Sequence, residues 1–228
     1  MKNKPTGADK RRFWNWGGDP AARELFLYGT IAEESWYEDD ITPEMFRSEL
    51  MSGTGPVTVW LSSPGGDCIA ASRIYSMLMD YPFDVTVKID GIAASAASVI
   101  AMAGTTVLMA PTSCIMIHDP MTVAMGNEGD MEKAIDMLKA VKDSIITAYE
   151  IRTGMSRAEI SKLMTAETWM DAGKAIELGF ADGVLQKNDV SLVADQKTPT
   201  LFSQRSTDLC LMNKLAVTAG VPVKPLYD

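Results

Sequence analysis

Four short runs of β-branched and apolar residues, Val57-Thr-Val-Trp-Leu61, Val85-Thr-Val-Lys-Ile89, Thr106-Val-Leu-Met-Ala110 and Ile115-Met-Ile-His118, are punctuated by Gly, Pro and Ser. Helical stretches separate most of them. Between the first pair, Ile69 to Met79 places Ile69, Ile74, Met77 and Leu78 on roughly one face, and an Ala-rich run from Ser95 to Ala103 lies between the next pair. Strand, helix, strand, helix, strand calls for right-handed parallel crossovers, so an α/β fold is expected.

Downstream, Met131, Ala134, Ile135, Leu138, Val141, Ile145 and Ala148 recur at three- and four-residue steps, which predicts an amphipathic helix ending near Thr153-Gly154. Ser156-Arg-Ala-Glu159 fits a capping box, and Asp171-Ala-Gly-Lys opens a short helix that stops at Gly179. Phe180 to Leu185 reads as a turn and strand. Upstream, Trp14-Asn-Trp16-Gly-Gly reads as a docking segment and Glu24-Leu-Phe-Leu-Tyr28 as a first strand, with the folded body starting near Arg23. The expected division is a mobile segment over 1–22, one domain over 23–187 and an accessory tail over 188–228.

The 228 residues, 46% of them hydrophobic, are enough for one core. Twenty-one basic against thirty acidic residues give a formal charge of -9, which argues against a nucleic-acid or anionic-membrane surface. Cys68, Cys114 and Cys210 are odd in number and lack metal-ligand spacing, and no apolar stretch backs the basic start, so a cytoplasmic location is expected. The most apolar stretch, Ala93 to Ala110, is too short and too interrupted for a membrane span.

Three places could carry chemistry. Ser62-Ser63-Pro64-Gly65-Gly66-Asp67 follows a strand and opens a helix, where backbone N–H groups can hold an oxyanion; it could equally be a plain Pro-Gly turn. Ser95 follows the small-residue turn Asp90-Gly91-Ile92-Ala93-Ala94, at a strand-to-helix junction where Ala96 N–H could assist an oxyanion; taken alone, a helix N-cap explains this serine as well. Ser98, one turn on, is expected to pack against a helix or bond back to a carbonyl. His118 is the sole histidine, so an imidazole base has no second candidate. Its neighbour Asp119 would face the other side of a continued strand and would orient it poorly.

Together, Ser63-Pro64-Gly65-Gly66, Gly91-Ile-Ala-Ala-Ser95, Met116-Ile-His118-Asp-Pro120, Thr153-Gly154 and Ala175-Ile-Glu-Leu-Gly179-Phe-Ala-Asp182 resemble the Clp protease proteolytic subunit, in order from about Leu25 to Leu185. The interval from Gly66 to Ser95 fits that family without a gap. The resemblance implies the fold of repeated β-β-α spiral units shared with crotonase-like enzymes, with a protruding handle helix. It implies a serine endopeptidase with Ser95 as nucleophile, His118 as general base and the N–H groups of Gly66 and Ala96 as oxyanion hole, working without a cofactor or metal. Counting back from Gly179 to the family's aspartate lands on Glu167, which can orient an imidazole through the same carboxylate. Asp171 is the rival, at a position suited to a helix N-cap.

The resemblance also implies a peptide or protein substrate and a homo-oligomeric, heptameric or stacked ring. Thr122 to Asp130 takes the place of the handle strand that joins rings. Arg11-Arg12-Phe13-Trp14-Asn15-Trp16 does not resemble the axial hairpin that engages ATPase partners, so ATPase docking is not expected. That start and Glu167-Thr168-Trp169 are closer to the phage and prophage members associated with head maturation. Four other readings stand beside this one. They are a crotonase-like acyl-CoA enzyme, a Ser-Lys peptidase using Lys88 or Lys139, a Cys68 thiol paired with His118, and a silent ring-forming assembly protein. Ile92, Met121 and Met125, if they line the groove, would favour hydrophobic side chains.

Overall fold

A computed structural model describes residues 13–19, 22–31 and 43–186. In chain order its first half comprises β1 (Trp14–Asp19), β2 (Ala22–Tyr28), α1 (Pro43–Met51), β3 (Val57–Ser63), α2 (Cys68–Met79), β4 (Val85–Ala94) and α3 (Ala96–Ala101). The second half comprises β5 (Thr106–Met109), β6 (Cys114–Ile117), α4 (Glu128–Thr153), α5 (Arg157–Thr165), β7 (Thr168–Asp171), α6 (Ala172–Glu177) and β8 (Gly183–Val184). One eight-stranded mixed sheet runs β1-β2-β3-β4-β5-β8, with β6 joined to β4 and β7 joined to β6. The pairs from β2 through β5 to β8 are parallel, as the strand-helix alternation requires.

Period-two alternation builds the core. Val57, Val59 and Leu61 of β3 and Val85, Val87 and Ile89 of β4 are buried in one cluster with Ala70, Ala71 and Ile74 of α2 and with Ala97 and Ile100 of α3. The intervening residues Phe26 and Trp60 form a smaller buried cluster with Leu185. The side chain of Asp67 accepts hydrogen bonds from the N–H groups of Ile69 and Ala70 and so sets where α2 begins. Ile69 is exposed and does not share the buried stripe expected for it, because it and Ile74 are about 140° apart on a helix turning 100° per residue.

The expected turn at Asp90 is strand. β4 runs through Asp90 and Gly91 to Ala94, and a two-residue step along β3, from Leu61 to Ser63, faces a four-residue step along β4, from Ile89 to Ala93. The bulge divides the strand's outer partners: Thr86 to Ile89 pair with β5, and Ile92 to Ala94 pair with β6. Gly91 permits it, since a Cβ there would stand 2.5 Å from the Ser62 hydroxyl. The sheet also begins earlier than Arg23. Trp14 is buried on β1, Trp14 and Trp16 both donate to the Glu49 carboxylate, at 2.8 and 3.1 Å, and Arg23 lies over the Trp16 ring at 4.4 Å. The tail assigned to 188–228 falls outside the described residues.

Helix α4 is 26 residues long, about 39 Å at 1.5 Å per residue. An Asn127–Asp130 capping box opens it and Gly154, in the left-handed conformation, closes it. Its buried residues, Ile145, Ile146, Ala148 and Tyr149, all lie in its later part, while Ile135 and Met137 are exposed. The earlier turns therefore project from the domain, as expected of a handle. No helix among the described residues is long and apolar enough to cross a membrane.

Candidate active site

Two parallel strand ends create the site. β4 and β6 pair with Ala94 opposite Met116, so the residues just beyond them leave the sheet side by side. Ser95 follows β4 directly, and His118 follows β6 directly. The imidazole Nε2 of His118 lies 2.7 Å from the Ser95 hydroxyl. An Oγ donating to an unprotonated Nε2 is the geometry of a serine activated by a base.

Ser95 has φ 54° and ψ -125°, a conformation an L-residue adopts at a cost of about 1–3 kcal/mol. Its N–H donates to the Met116 carbonyl at 2.9 Å, and its own carbonyl accepts from the Ser98 N–H at 3.0 Å. Although Ser95 occupies the N-cap position of α3, its side chain makes no capping bond. The sharp turn instead aims the hydroxyl at the histidine.

The glycine turn after β3 lies against this serine. Ile31 N–H donates to Gly65 O and Asp67 N–H donates to Ile31 O, each at 2.9 Å, a parallel bridge that leaves the Gly66 N–H out of the ladder. A Cβ on Gly66 would stand 2.0 Å from the Ile31 carbonyl, and one on Gly65 would stand 2.7 Å from Ser95 Cβ. Both glycines have positive φ, 99° for Gly65 and 142° for Gly66. Ala96 is the first residue of α3, so its N–H has no carbonyl one helical turn back to pair with. The two amides expected to form an oxyanion hole thus belong to adjoining segments, a Cβ on Gly65 standing 3.1 Å from the Ala96 nitrogen. Sequence reasoning does not single out Gly65 as a contact of the serine; its place between Pro64 and Gly66 is the available signal.

The carboxylates are sorted by strand register. β7 runs antiparallel to β6 with Thr168 opposite Ile117 and Asp171 opposite Cys114. Glu167 and His118 therefore each adjoin the pair at this end of the ladder, while Asp171 sits at the far end of β6. Asp171 caps α6, accepting from Lys174 N–H at 2.8 Å. Glu167 is exposed, has φ 48°, and accepts from the Trp169 indole at 3.2 Å. Among the described residues, the hydrogen bond formed by the His118 ring is the one with Ser95. Asp119 is held by Lys142 at 2.8 Å and Thr165 at 3.0 Å.

Burial pushes the His118 pKa below its ordinary 6.5, while the negative charges of Glu167, the larger influence, and Asp119 pull it up. The net effect keeps the ring neutral near pH 7, the state in which it can accept a proton. The alternative bases and nucleophile have different neighbours. Lys88 lies over the Trp60 ring at 4.9 Å, and Lys139 pairs with Asp136 at 3.0 Å on the projecting part of α4. Cys68 starts α2, and the histidine nitrogen it would need is directed at Ser95. Met121, Val123 and Met125, beyond His118, are exposed apolar residues.

The chain is similar to known proteins. The family model described as Clp protease matches residues 20–188. The ATP-dependent Clp protease proteolytic subunit of Porphyromonas gingivalis is 32% identical over 157 residues, covering 66% of this chain and 71% of that protein. The ATP-dependent Clp protease proteolytic subunit 1 of Chlamydia muridarum is 29% identical over 168 residues, with 72% and 86% covered. The ATP-dependent Clp protease proteolytic subunit of a Bacteroides fragilis strain is 31% identical over 156 residues, with 65% and 75% covered.

Proposed function

The chain belongs to the Clp protease family, and from that premise we propose that it is a serine endopeptidase with Ser95, His118 and Glu167 as its triad. His118 Nε2 takes the proton of the Ser95 hydroxyl as Oγ attacks the scissile carbonyl carbon. The carbonyl oxygen, now an oxyanion, is held by the N–H groups of Gly66 and Ala96, each donor worth about 3 kcal/mol. His118 then gives its proton to the leaving amine, and the C–N bond breaks to an acyl-enzyme on Ser95. A water molecule, deprotonated by the same nitrogen, releases the peptide acid and restores the serine. Glu167 favours the imidazolium formed in each half-reaction through its negative charge.

The observation that carries this reading is the 2.7 Å contact between His118 Nε2 and the hydroxyl of a serine held in a strained elbow. The test is labelling with a fluorophosphonate probe, with the adduct located by mass spectrometry in the wild type, Ser95→Ala and His118→Ala. An adduct on Ser95 that is lost in both variants supports the reading. Labelling that persists in Ser95→Ala overturns it.

The wider role follows from the resemblance. The peptidase domain spans 23–187 together with the β1 residues that complete its sheet. It works as a homo-oligomeric ring in the cytoplasm, with the projecting part of α4 available to neighbouring subunits. The Phe13-Trp14-Asn15-Trp16 start and the Glu167-Thr168-Trp169 segment favour prophage head maturation over partnership with an ATPase. Sedimentation velocity tests the ring. Cleavage of a phage capsid precursor without added ATPase or ATP tests the role, and a strict ATP requirement overturns it.

A further inference from the structure

One turn along α3 from the nucleophile, Ser98 is completely buried. Its hydroxyl lies 2.5 Å from the carbonyl oxygen of Ser95 and 2.7 Å from the phenol oxygen of Tyr149, fifty-one residues away on α4. A serine hydroxyl has one proton and a carbonyl can only accept. Ser98 therefore donates to Ser95, and the phenol donates to Ser98. Tyr149 is also buried, its ring edge-on to Phe180 with centroids 5.4 Å apart. Burial raises its pKa above the ordinary 10, so it stays a donor throughout the working pH range.

A strained backbone persists only where its surroundings over-determine it. At Ser95 the N–H is fixed by Met116 O, and the carbonyl is fixed twice by Ser98, through its backbone N–H and its hydroxyl. The second of these bonds depends on a side chain and is polarised by the phenol behind it.

We propose that Ser98 and Tyr149 are positioning residues of the peptidase, a buried relay from the phenol of Tyr149 through the hydroxyl of Ser98 that locks the Ser95 carbonyl and thereby aims the nucleophile. This rests on the reading of Ser95 as nucleophile. It ties the last turns of α4 to the elbow and needs no contact with substrate.

The test uses the full chain at matched oligomeric size and a fluorophosphonate concentration series that separates the maximal labelling rate from the apparent binding constant. Ser98→Ala, Tyr149→Phe and the double variant are compared with the wild type. Ser113→Ala serves as a control, because that buried serine donates to the Ala110 carbonyl at 2.9 Å. Loss of one such bond should lower the maximal rate about five- to tenfold in either single variant, with binding unchanged. The double variant should be no slower than the slower single one, and Ser113→Ala should label at the wild-type rate. Tyr149→Phe keeps the ring and reads the relay should Ser98→Ala fail to fold. Wild-type maximal rates in the single variants, or a double variant slowed by the product of the single effects, would overturn the relay while leaving Ser95 as nucleophile. A wild type with no adduct on Ser95 overturns the nucleophile reading and the relay with it.

Discussion

Gly65 and Ser95 are packed so closely that a methyl group on the glycine would stand 2.7 Å from the serine Cβ and 2.7 Å from the Ala94 carbonyl oxygen. The serine elbow and the glycine turn can therefore touch only because residue 65 has no side chain, and its φ of 99° imposes the same restriction independently.

Gly65→Ala should consequently separate the Gly66 amide from the Ser95 hydroxyl. A misplacement of about 1 Å at reacting groups costs on the order of a hundredfold in rate. Fluorophosphonate labelling should fall by about that factor while circular dichroism shows a folded protein. Labelling at the wild-type rate would mean that the turn and the elbow work independently.

The pH profile has a defined direction. His118 must be neutral to accept a proton, and burial places its pKa below 6.5. Peptidase or labelling rate should rise with pH through an inflection below 6.5 and then level off. Replacing Glu167 by Gln removes the larger of the charges that raise the histidine pKa, so the inflection should move to lower pH while the plateau falls. An inflection above 6.5, or one unmoved by Glu167→Gln, would contradict the assigned field.

Stability follows the same group. The folded histidine binds its proton less readily than the unfolded one, so its contribution is present above pH 6.5 and is lost as pH falls from there through the folded pKa. In His118→Gln, thermal midpoints measured between about pH 7 and pH 5 should fall less steeply than in the wild type. Parallel curves would place the acid sensitivity elsewhere.

Asp171 and Glu167 should separate by readout. Asp171→Asn keeps an acceptor and should change little, whereas Asp171→Ala removes the cap on α6 and should cost about 1 kcal/mol in denaturant unfolding. Neither should move the histidine inflection. A loss of labelling in Asp171→Asn comparable to that in Glu167→Gln would give the acid's role to Asp171.

Cys68→Ser should label at the wild-type rate. Its sulfur would have to displace Ser95 from the histidine to act as nucleophile, and the serine already holds that nitrogen at 2.7 Å. Loss of the adduct in Cys68→Ser would restore the thiol reading.

Local chemistry makes much of this protein legible in its amino-acid order. Ser156 with Glu159, and Gly154 in its left-handed cap, mark helix ends through bonds within a few residues, and the Val57 and Val85 runs identify buried parallel strands by composition. The positions of Ser95 and His118 at two strand ends can be read in the same way. What the sequence cannot decide is everything that depends on which strands become neighbours. The bulge at Asp90 and Gly91 arises because β4 must serve β5 along one part and β6 along another. Glu167 and His118 each adjoin the end pair of β6 and β7, Thr168 with Ile117, an antiparallel pairing across some fifty residues of chain. The phenol of Tyr149 reaches Ser98 because the end of α4 packs into the core, while its periodic apolar residues nearer the start do not. Periodicity reports that a face is apolar; only tertiary packing, or a second chain, decides what covers it.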